Sequence, residues 1–469
     1  MVKVALIGAG SAVFAQRMIT DILAIDGLDT GTFALVDLDT ERLELAHEVA
    51  EQTIRSVGKT WTVQATTARR SVLPGCDYVL NMIEVGGLAN IQSDYTLPLK
   101  YGVDQCIADT IGPGGIFKYL RTAPSWLAIC RDIEELCPRA LVINYSNPMS
   151  ALVLTALRAT SLQVVGLCQS IVQTAYELAD YMDVPYERMR YRCAGINHLS
   201  WYVTLEMDGE DLYPRLRIAA QDPAIYRQNP VRFDLMRAFG YYTTESSGHV
   251  SEYVPYFRKR KELIDYYVSM QPDCVGGERA SRWPVDRVEH DALLRNYLER
   301  ERRGERAFYL DRSLDAGSYV IEGHALNRPQ MIYGNVGNSG LIEDAGSYVI
   351  EGNALNRPQM SYGNAGNSGL IENLPRDGCV EIACLVDGNG IHPLHFGKLP
   401  TQLAALDSAH MMVHDLLVQA LLNEDREAAV QALMLDSLTA AVCSLTEIRQ
   451  LFDEMAATQQ NYLPHFMKQ

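Results

Sequence analysis

Short apolar runs alternate with amphipathic stretches through the first 190 residues. Val2-Lys3-Val4-Ala5-Leu6-Ile7 sets five apolar residues around one Lys, the pattern of a strand covered by helices on both faces. Runs of the same kind recur at Thr32 to Val36, Asp77 to Ile83, Ala140 to Tyr145 and Gln163 to Cys168. Helical periodicity runs from about Val13 to Ala24, and again after Asp39 with Thr40 as the cap. The alternation predicts a Rossmann-like doubly wound α/β parallel sheet over residues 1–190, with ligands at the carboxyl ends of its strands. From Arg190 the period changes. Gly195 to Glu206 opens as a loop and continues as an alternating strand, and Cys379 to Asp387 is another strand. Helices are predicted near 401–422, 424–434 and 444–463, so residues 191–469 read as a mixed α+β lobe for substrate and subunit contacts.

One segment interrupts that lobe. Asp315 to Glu343 is followed at once by a near copy, Asp344 to Glu372, differing only at His324/Asn353, Ile332/Ser361 and Val336/Ala365. Two copies are too few for a solenoid, so one is expected to pack natively and the other to be extruded. The downstream copy runs directly into Asn373-Leu374-Pro375, which makes its Ser361-to-Glu372 part the expected strand.

Candidate chemistry sits just past the strand ends. The first strand runs into Gly8 and Gly10, a turn that lets backbone N–H groups and a helix N-terminus approach a pyrophosphate. Phe14 follows Val13 where the usual fingerprint has a third Gly. The second strand ends at Asp37, whose carboxylate suits ribose hydroxyls and repels a 2′-phosphate, favouring NAD over NADP. Gly8, Gly10, Ser11, Phe14, Asp37 and Glu84 are therefore the candidate cofactor contacts. Ile107 to Gly115 reads as a shaped loop carrying Asp109. Cys168 ends one strand and His198 precedes another, so thiolate plus imidazole at one crevice would suit a divalent metal. Phe239 to His249, with Ser251-Glu252-Tyr253, is too polar for core and too aromatic for a plain linker. His410 and His414, one helical turn apart without a third ligand, read as surface, and Arg258-Lys259-Arg260-Lys261 as a solvated helix start.

The bulk numbers narrow the class. A chain of 469 residues with 48% hydrophobic and 21% charged composition has ample core. A net charge of -17 without a Lys/Arg stripe argues against nucleic acid, and no apolar run is long enough for a membrane span. The N-terminal run is short and broken by glycines, unlike a signal peptide. Ten scattered cysteines with no C-x-x-C pair suit a reducing cytoplasm.

With these stretches assembled, the chain resembles family 4 of the glycoside hydrolases, the NAD- and manganese-dependent glycosidases. It looks most like the branch acting on unphosphorylated α-galactosides. The likeness rests on Ile7-Gly8-Ala9-Gly10-Ser11, Ile107 to Gly115, Asn144-Tyr145-Ser146-Asn147-Pro148-Met149, Val165 to Cys168, Tyr191 to His198 and Thr244 to Ser247. Asn373-Leu374-Pro375 with Val380-Glu381 extends it. The resemblance implies a lactate/malate-dehydrogenase-like architecture, a homodimer or homotetramer, and a small-molecule α-glycoside substrate. It implies a mechanism outside the two-carboxylate pattern: hydride removal at C3, proton removal at C2, elimination at C1, water addition and re-reduction. It would make Cys168 and His198 the Mn2+ ligands and set Asn147 and Asn197 on sugar hydroxyls. The C2 base would be a tyrosine, with Tyr241, Tyr242 and Tyr253 as candidates. The departure is Gln169, where the α-galactosidase branch has His; an amide cannot protonate a leaving group. Asp109 or a water would then serve as the acid. An α-glucoside or α-uronide substrate stays open, as do a simple NAD dehydrogenase and an NAD-holding sugar-binding protein.

Overall fold

The structure is a computed structural model that describes residues 1–11, 14–271, 283–305, 310–338, 348–349, 361–362 and 369–468. Its first part alternates β1 (Val2–Ile7), α1 (Phe14–Leu23), β2 (Thr30–Val36), α2 (Thr40–Val57), β3 (Thr60–Thr66) and β4 (Tyr78–Asn81). There follow α3 (Gly87–Lys100), α4 (Gly112–Leu136), β5 (Leu141–Asn144), α5 (Met149–Ala159), β6 (Val164–Gly166) and α6 (Ser170–Met182). The remaining strands are β7 (Met189–Ile196), β8 (Leu199–Met207), β9 (Glu210–Asp211), β10 (Tyr242–Thr243), β11 (Gln330–Gly337), β12 (Tyr348–Val349), β13 (Ser361–Tyr362), β14 (Cys379–Asp387) and β15 (Gly390–Pro393).

The parallel half has the order β3-β2-β1-β4-β5-β6, which puts the crossover between β1 and β4. Ligands bind at such a switch point because the flanking loops diverge there. Successive residues of a strand face opposite ways. Val4 and Leu6 pack into one core and Ala5 and Ile7 into the other, so both faces are covered, as the continuous apolar runs predict. The sheet does not stop at residue 190. β11 pairs antiparallel with β6, then β14, β7, β8 and β10 continue the same sheet. Among the described residues, β12 and β13 pair with each other as a separate two-stranded sheet.

Three expectations are corrected. The strand beside β14 is Gln330–Gly337, from the upstream copy of the duplication, with all eight residues in register. The upstream copy also supplies a helix, Ala316–Leu326, and its Val320 and Ile321 are fully buried. The downstream copy contributes its end, Gly369 to Glu372, where Leu370 and Ile371 are buried. Residues 363–368 of the expected strand lie outside the described residues. His410 and His414 are buried in the long helix Thr401–Leu422, and His410 Nε2 lies 2.7 Å from the Tyr253 carbonyl. Sequence spacing alone could not separate the inner face of this helix from its outer one. Arg258 is buried too, donating to the Asp104 carbonyl and carboxylate at 2.7 Å. No described helix is long and apolar enough to cross a membrane, and the nine described cysteines are all free.

Candidate active site

The glycine turn forms as its sequence predicts. Gly8 has φ +87°, and a Cβ there would lie 2.8 Å from the Met82 carbonyl, so only Gly lets β1 and β4 run this close. Gly10 donates its N–H to the Asp37 carboxylate at 2.7 Å, and Arg42 Nε donates to the Gly10 carbonyl at 2.8 Å. Ser11 closes the turn on the Gly8 carbonyl. Phe14 opens α1 half-exposed, its ring 5.9 Å from that of Tyr145. Glu84, past β4, is paired with Lys118 at 2.7 Å.

The predicted loop at 107–115 ends earlier than expected, since Gly112 to Gly115 form the first turn of α4. A Cβ on Gly115 would fall 2.3 Å from the Thr110 carbonyl carbon, so the glycines let the helix press against the loop. Glu252 holds that loop from the other side. Its buried carboxylate accepts from the Cys106, Ile107 and Ala108 N–H groups and from Gln105 Nε2. The effect is to aim Asp109 inward. Asn147 Nδ2 donates to Asp109 at 2.9 Å, and Lys118 Nζ lies 3.7 Å away. Burial would raise the Asp109 pKa, but the Lys118 ammonium and neighbouring imidazoles hold it below the ordinary carboxylate value. In that state Asp109 anchors the Asn147 amide and pairs with the Lys118 ammonium.

Cys168 and His198 do meet. β6 delivers Cys168 and the β7–β8 hairpin delivers His198, with Sγ to Nε2 3.3 Å. A third donor joins them: Glu245 Oε2 lies 3.7 Å from the same His198 nitrogen, and one donor atom from each residue lies within 4.8 Å of the others. β10 pairs with β8 to bring Glu245 in, and the Thr244 hydroxyl accepts the Ser200 N–H at 3.0 Å to lock it. His198 and Glu245 both sit at left-handed backbone angles, φ 65° and 70°. Non-glycine residues hold such angles at a cost, and they cluster at functional sites.

The protonation states suit a cation. Burial pushes His198 down to about 4, which leaves the neutral imidazole that ligates metals. Burial, with the Glu245 and Glu381 carboxylates, pushes the Cys168 thiol well up, so a bound cation is what would draw off its proton. Glu245 is held near 2 against its burial by the His198 and His249 imidazoles. Sulfur, nitrogen and oxygen donors together fit a divalent first-row metal. Around them, Asn147 Oδ1, both amide atoms of Asn197 and His249 Nε2 are buried without a hydrogen-bond partner. Buried polar atoms left unpaired cost about 1–3 kcal/mol each, so this pocket is built for a polar ligand.

The three tyrosines separate. Tyr253 lies behind the cluster, its ring 5.7 Å from that of His249 and its hydroxyl donating to the Asn197 carbonyl at 3.3 Å. Tyr242 packs instead on Phe233 and Arg232, and Tyr241 on Tyr213, in another aromatic cluster. Gln169 is turned to Asp315, donating at 2.8 Å. Asp315 also accepts from the Tyr145 hydroxyl and from Gly317 N–H as helix cap, so the upstream copy of the duplication buttresses the site. Sequence reasoning did not assign Glu245 as a ligand or give roles to Lys118, His249, Glu252 and Asp315. Glu245 and His249 do carry a readable signal, an acid and an imidazole four residues apart beside a serine pair.

The description "Family 4 glycosyl hydrolase" matches residues 3–184, and that of the family's C-terminal domain matches residues 193–347 and 343–439. The chain belongs to family 4 of the glycosyl hydrolases. An α-galactosidase of Bacillus subtilis (strain 168) is 34% identical over 470 residues, covering 99% of this chain and 100% of its own. An α-galactosidase of Rhizobium meliloti (strain 1021) is 32% identical over 99% of this chain and 89% of its own. In fold, this family 4 glycosidase is similar to a 6-phospho-α-glucosidase from gut microorganisms solved in complex with NAD and Mn2+. That pair has a TM-score of 0.76 at 20% identity over 99% of both chains.

Proposed function

We propose that this family 4 enzyme hydrolyses unphosphorylated α-galactosides using NAD and Mn2+, with no net oxidation. The observation that carries the reading is the Cys168–His198–Glu245 cluster, together with the unpartnered Asn147 Oδ1 and the unpartnered Asn197 amide. Support for the sugar comes from the full-length α-galactosidase relatives at 32 and 34% identity. When bound at these residues, NAD would supply reversible hydride exchange with the sugar and a divalent cation would supply Lewis-acid polarisation of its oxygens.

The protein's own part is to bind, orient and move protons. Cys168, His198 and Glu245 would hold the cation, and the Gly8–Ser11 turn with Asp37 would hold the dinucleotide. Asn147 and Asn197 hydrogen-bond the sugar hydroxyls, with Asp109 and Lys118 fixing Asn147 from behind. Of the candidate tyrosines, Tyr253 packs on His249 of this group, and its phenolate, which burial disfavours and a bound cation would favour, is our choice for the C2 base. Gln169 donates or accepts at the leaving group but does not protonate it, so water or a good leaving group completes elimination.

Release of nitrophenol from 4-nitrophenyl α-galactoside, dependent on both added NAD and Mn2+, is the expected result. Stoichiometric NADH without nitrophenol would instead make the protein a dehydrogenase.

A further inference from the structure

The turn that would hold the dinucleotide is braced by a helix from far along the chain. Arg42, in the first turn of α2, donates through Nε to the Gly10 carbonyl at 2.8 Å. Its Nη1 donates to Asp291 Oδ2, also at 2.8 Å, and Asp291 lies on the helix Trp283–Arg302. We propose that Asp291 is a specificity-determining residue for the cofactor. By engaging Arg42 it denies a 2′-phosphate its counter-charge, and so favours NAD over NADP; this rests on the NAD site of the reading above.

Residue types near the turn point both ways. An acidic residue such as Asp37 suits a free ribose, whereas an arginine nearby accommodates a 2′-phosphate. Both are present. A Cβ on Gly10 would lie 2.7 Å from Asp37 Oδ2 and 2.8 Å from Arg42 Cβ, so carboxylate and arginine border the same glycine. From Asp37 to Glu44, Arg42 is the one cation. A guanidinium grips phosphate through two parallel N–H groups. Here Nε and Nη2 are on the Gly10 carbonyl and Nη1 is on Asp291, so every nitrogen of the fork is engaged.

Packing holds the pair in place. Leu298 of the same helix is buried in a cluster with Leu45 and Val49 of α2. Arg302 pairs with Glu48, and Ser56 Oγ donates to Glu301 at 3.2 Å. The Arg42 and Asp291 side chains are 16% and 28% exposed, so solvent screens their attraction only in part. Asp291 Oδ1 is buried without a hydrogen-bond partner among the described residues, which leaves Arg42 as the group that its charge faces. With Asp291 made neutral, Nη1 is free to turn to a phosphate, and the net charge beside Asp37 rises by one.

Calorimetric titration of the metal-free protein with NAD and with NADP tests this. Wild type is compared with Asp291→Asn, Asp291→Ser, the double variant Asp291→Asn/Arg42→Gln, and Arg302→Gln, a control that loosens the same helix. NADP should bind about tenfold or more tighter in both Asp291 variants than in wild type, the scale of one hydrogen bond to a charged group. The double variant should lose that gain, and Arg302→Gln should keep the wild-type ratio of the two affinities. A cooperative thermal melt shows that each variant is folded. NADP affinity within twofold of wild type in both single Asp291 variants overturns the proposal, as does an equal gain in the double variant or the control. A wild type that binds NADP as well as NAD overturns it too. A wild type that binds neither defeats the NAD site itself, which is a separate failure.

Discussion

Glu381 sits fully buried in mid-sheet, between β11 and β7 and below the active-site hairpin. Burial pushes its carboxyl up to about 8, against the lowering effect of its bonds to Ser200 and Asn335. The hydrogen bonds accommodate the neutral form. Ser200 Oγ lies 2.8 Å from Glu381 Oε2 and also donates to the Ile196 carbonyl at 3.0 Å. A hydroxyl has one proton, so with Ser200 donating to Ile196, a protonated Glu381 donates to Ser200 and Asn335 Nδ2 donates to the other oxygen. Glu381→Gln copies that arrangement without the ionisation. The folded pKa is raised above the unfolded value, so the contribution is fully present below about 4.5 and is lost as pH rises through about 8. At 1.36 kcal/mol per unit, the wild type should lose about 3–4 kcal/mol relative to the Gln variant between pH 5 and pH 8. Urea unfolding followed by tryptophan fluorescence at pH 5, 6, 7 and 8 measures that difference, because other titrating groups cancel between the two proteins. Parallel curves for the two would refute a neutral Glu381.

Other consequences follow from the site and the repeat. Glu245→Gln keeps the shape of the third donor but removes its charge, and Mn2+ affinity measured by EPR titration should weaken by about tenfold or more; unchanged binding would leave Glu245 outside the metal's shell. Asp37→Ser should weaken NAD by about 1–3 kcal/mol and narrow its advantage over NADP, read by fluorescence titration; an unaltered preference would exclude Asp37 from ribose recognition. Asn338 and Leu370 are already hydrogen-bonded across the repeat junction at 3.3 Å. Deleting residues 339–367 restores one copy with a shorter connection, and the melting temperature should hold or rise slightly, since loop closure costs about 0.6 kcal/mol per doubling of length. Failure of this deletion protein to fold would show that the second copy is needed.

Local pattern carried much of this protein. The apolar runs ending at Ile7, Val36 and Asn144 needed no tertiary information, because strands buried on both faces must be apolar at every position. The glycine turn, Asp37, and the pairing of Cys168 with His198 were legible for a related reason: strand ends converge at the switch point of a doubly wound sheet. Tertiary structure alone decided which distant segments complete the site. Glu245 becomes a third donor only because β10 pairs with β8, and Glu252 becomes a loop anchor only because its short helix faces residues 105–108. Tyr253 was separated from Tyr241 and Tyr242 by helix direction, which aromatic composition does not encode. Likewise the two nearly identical repeats offer the same side chains to the sheet. In the fold the strand is Gln330–Gly337, running on from the helix that Asp315 caps, a selection between copies that no sequence period records.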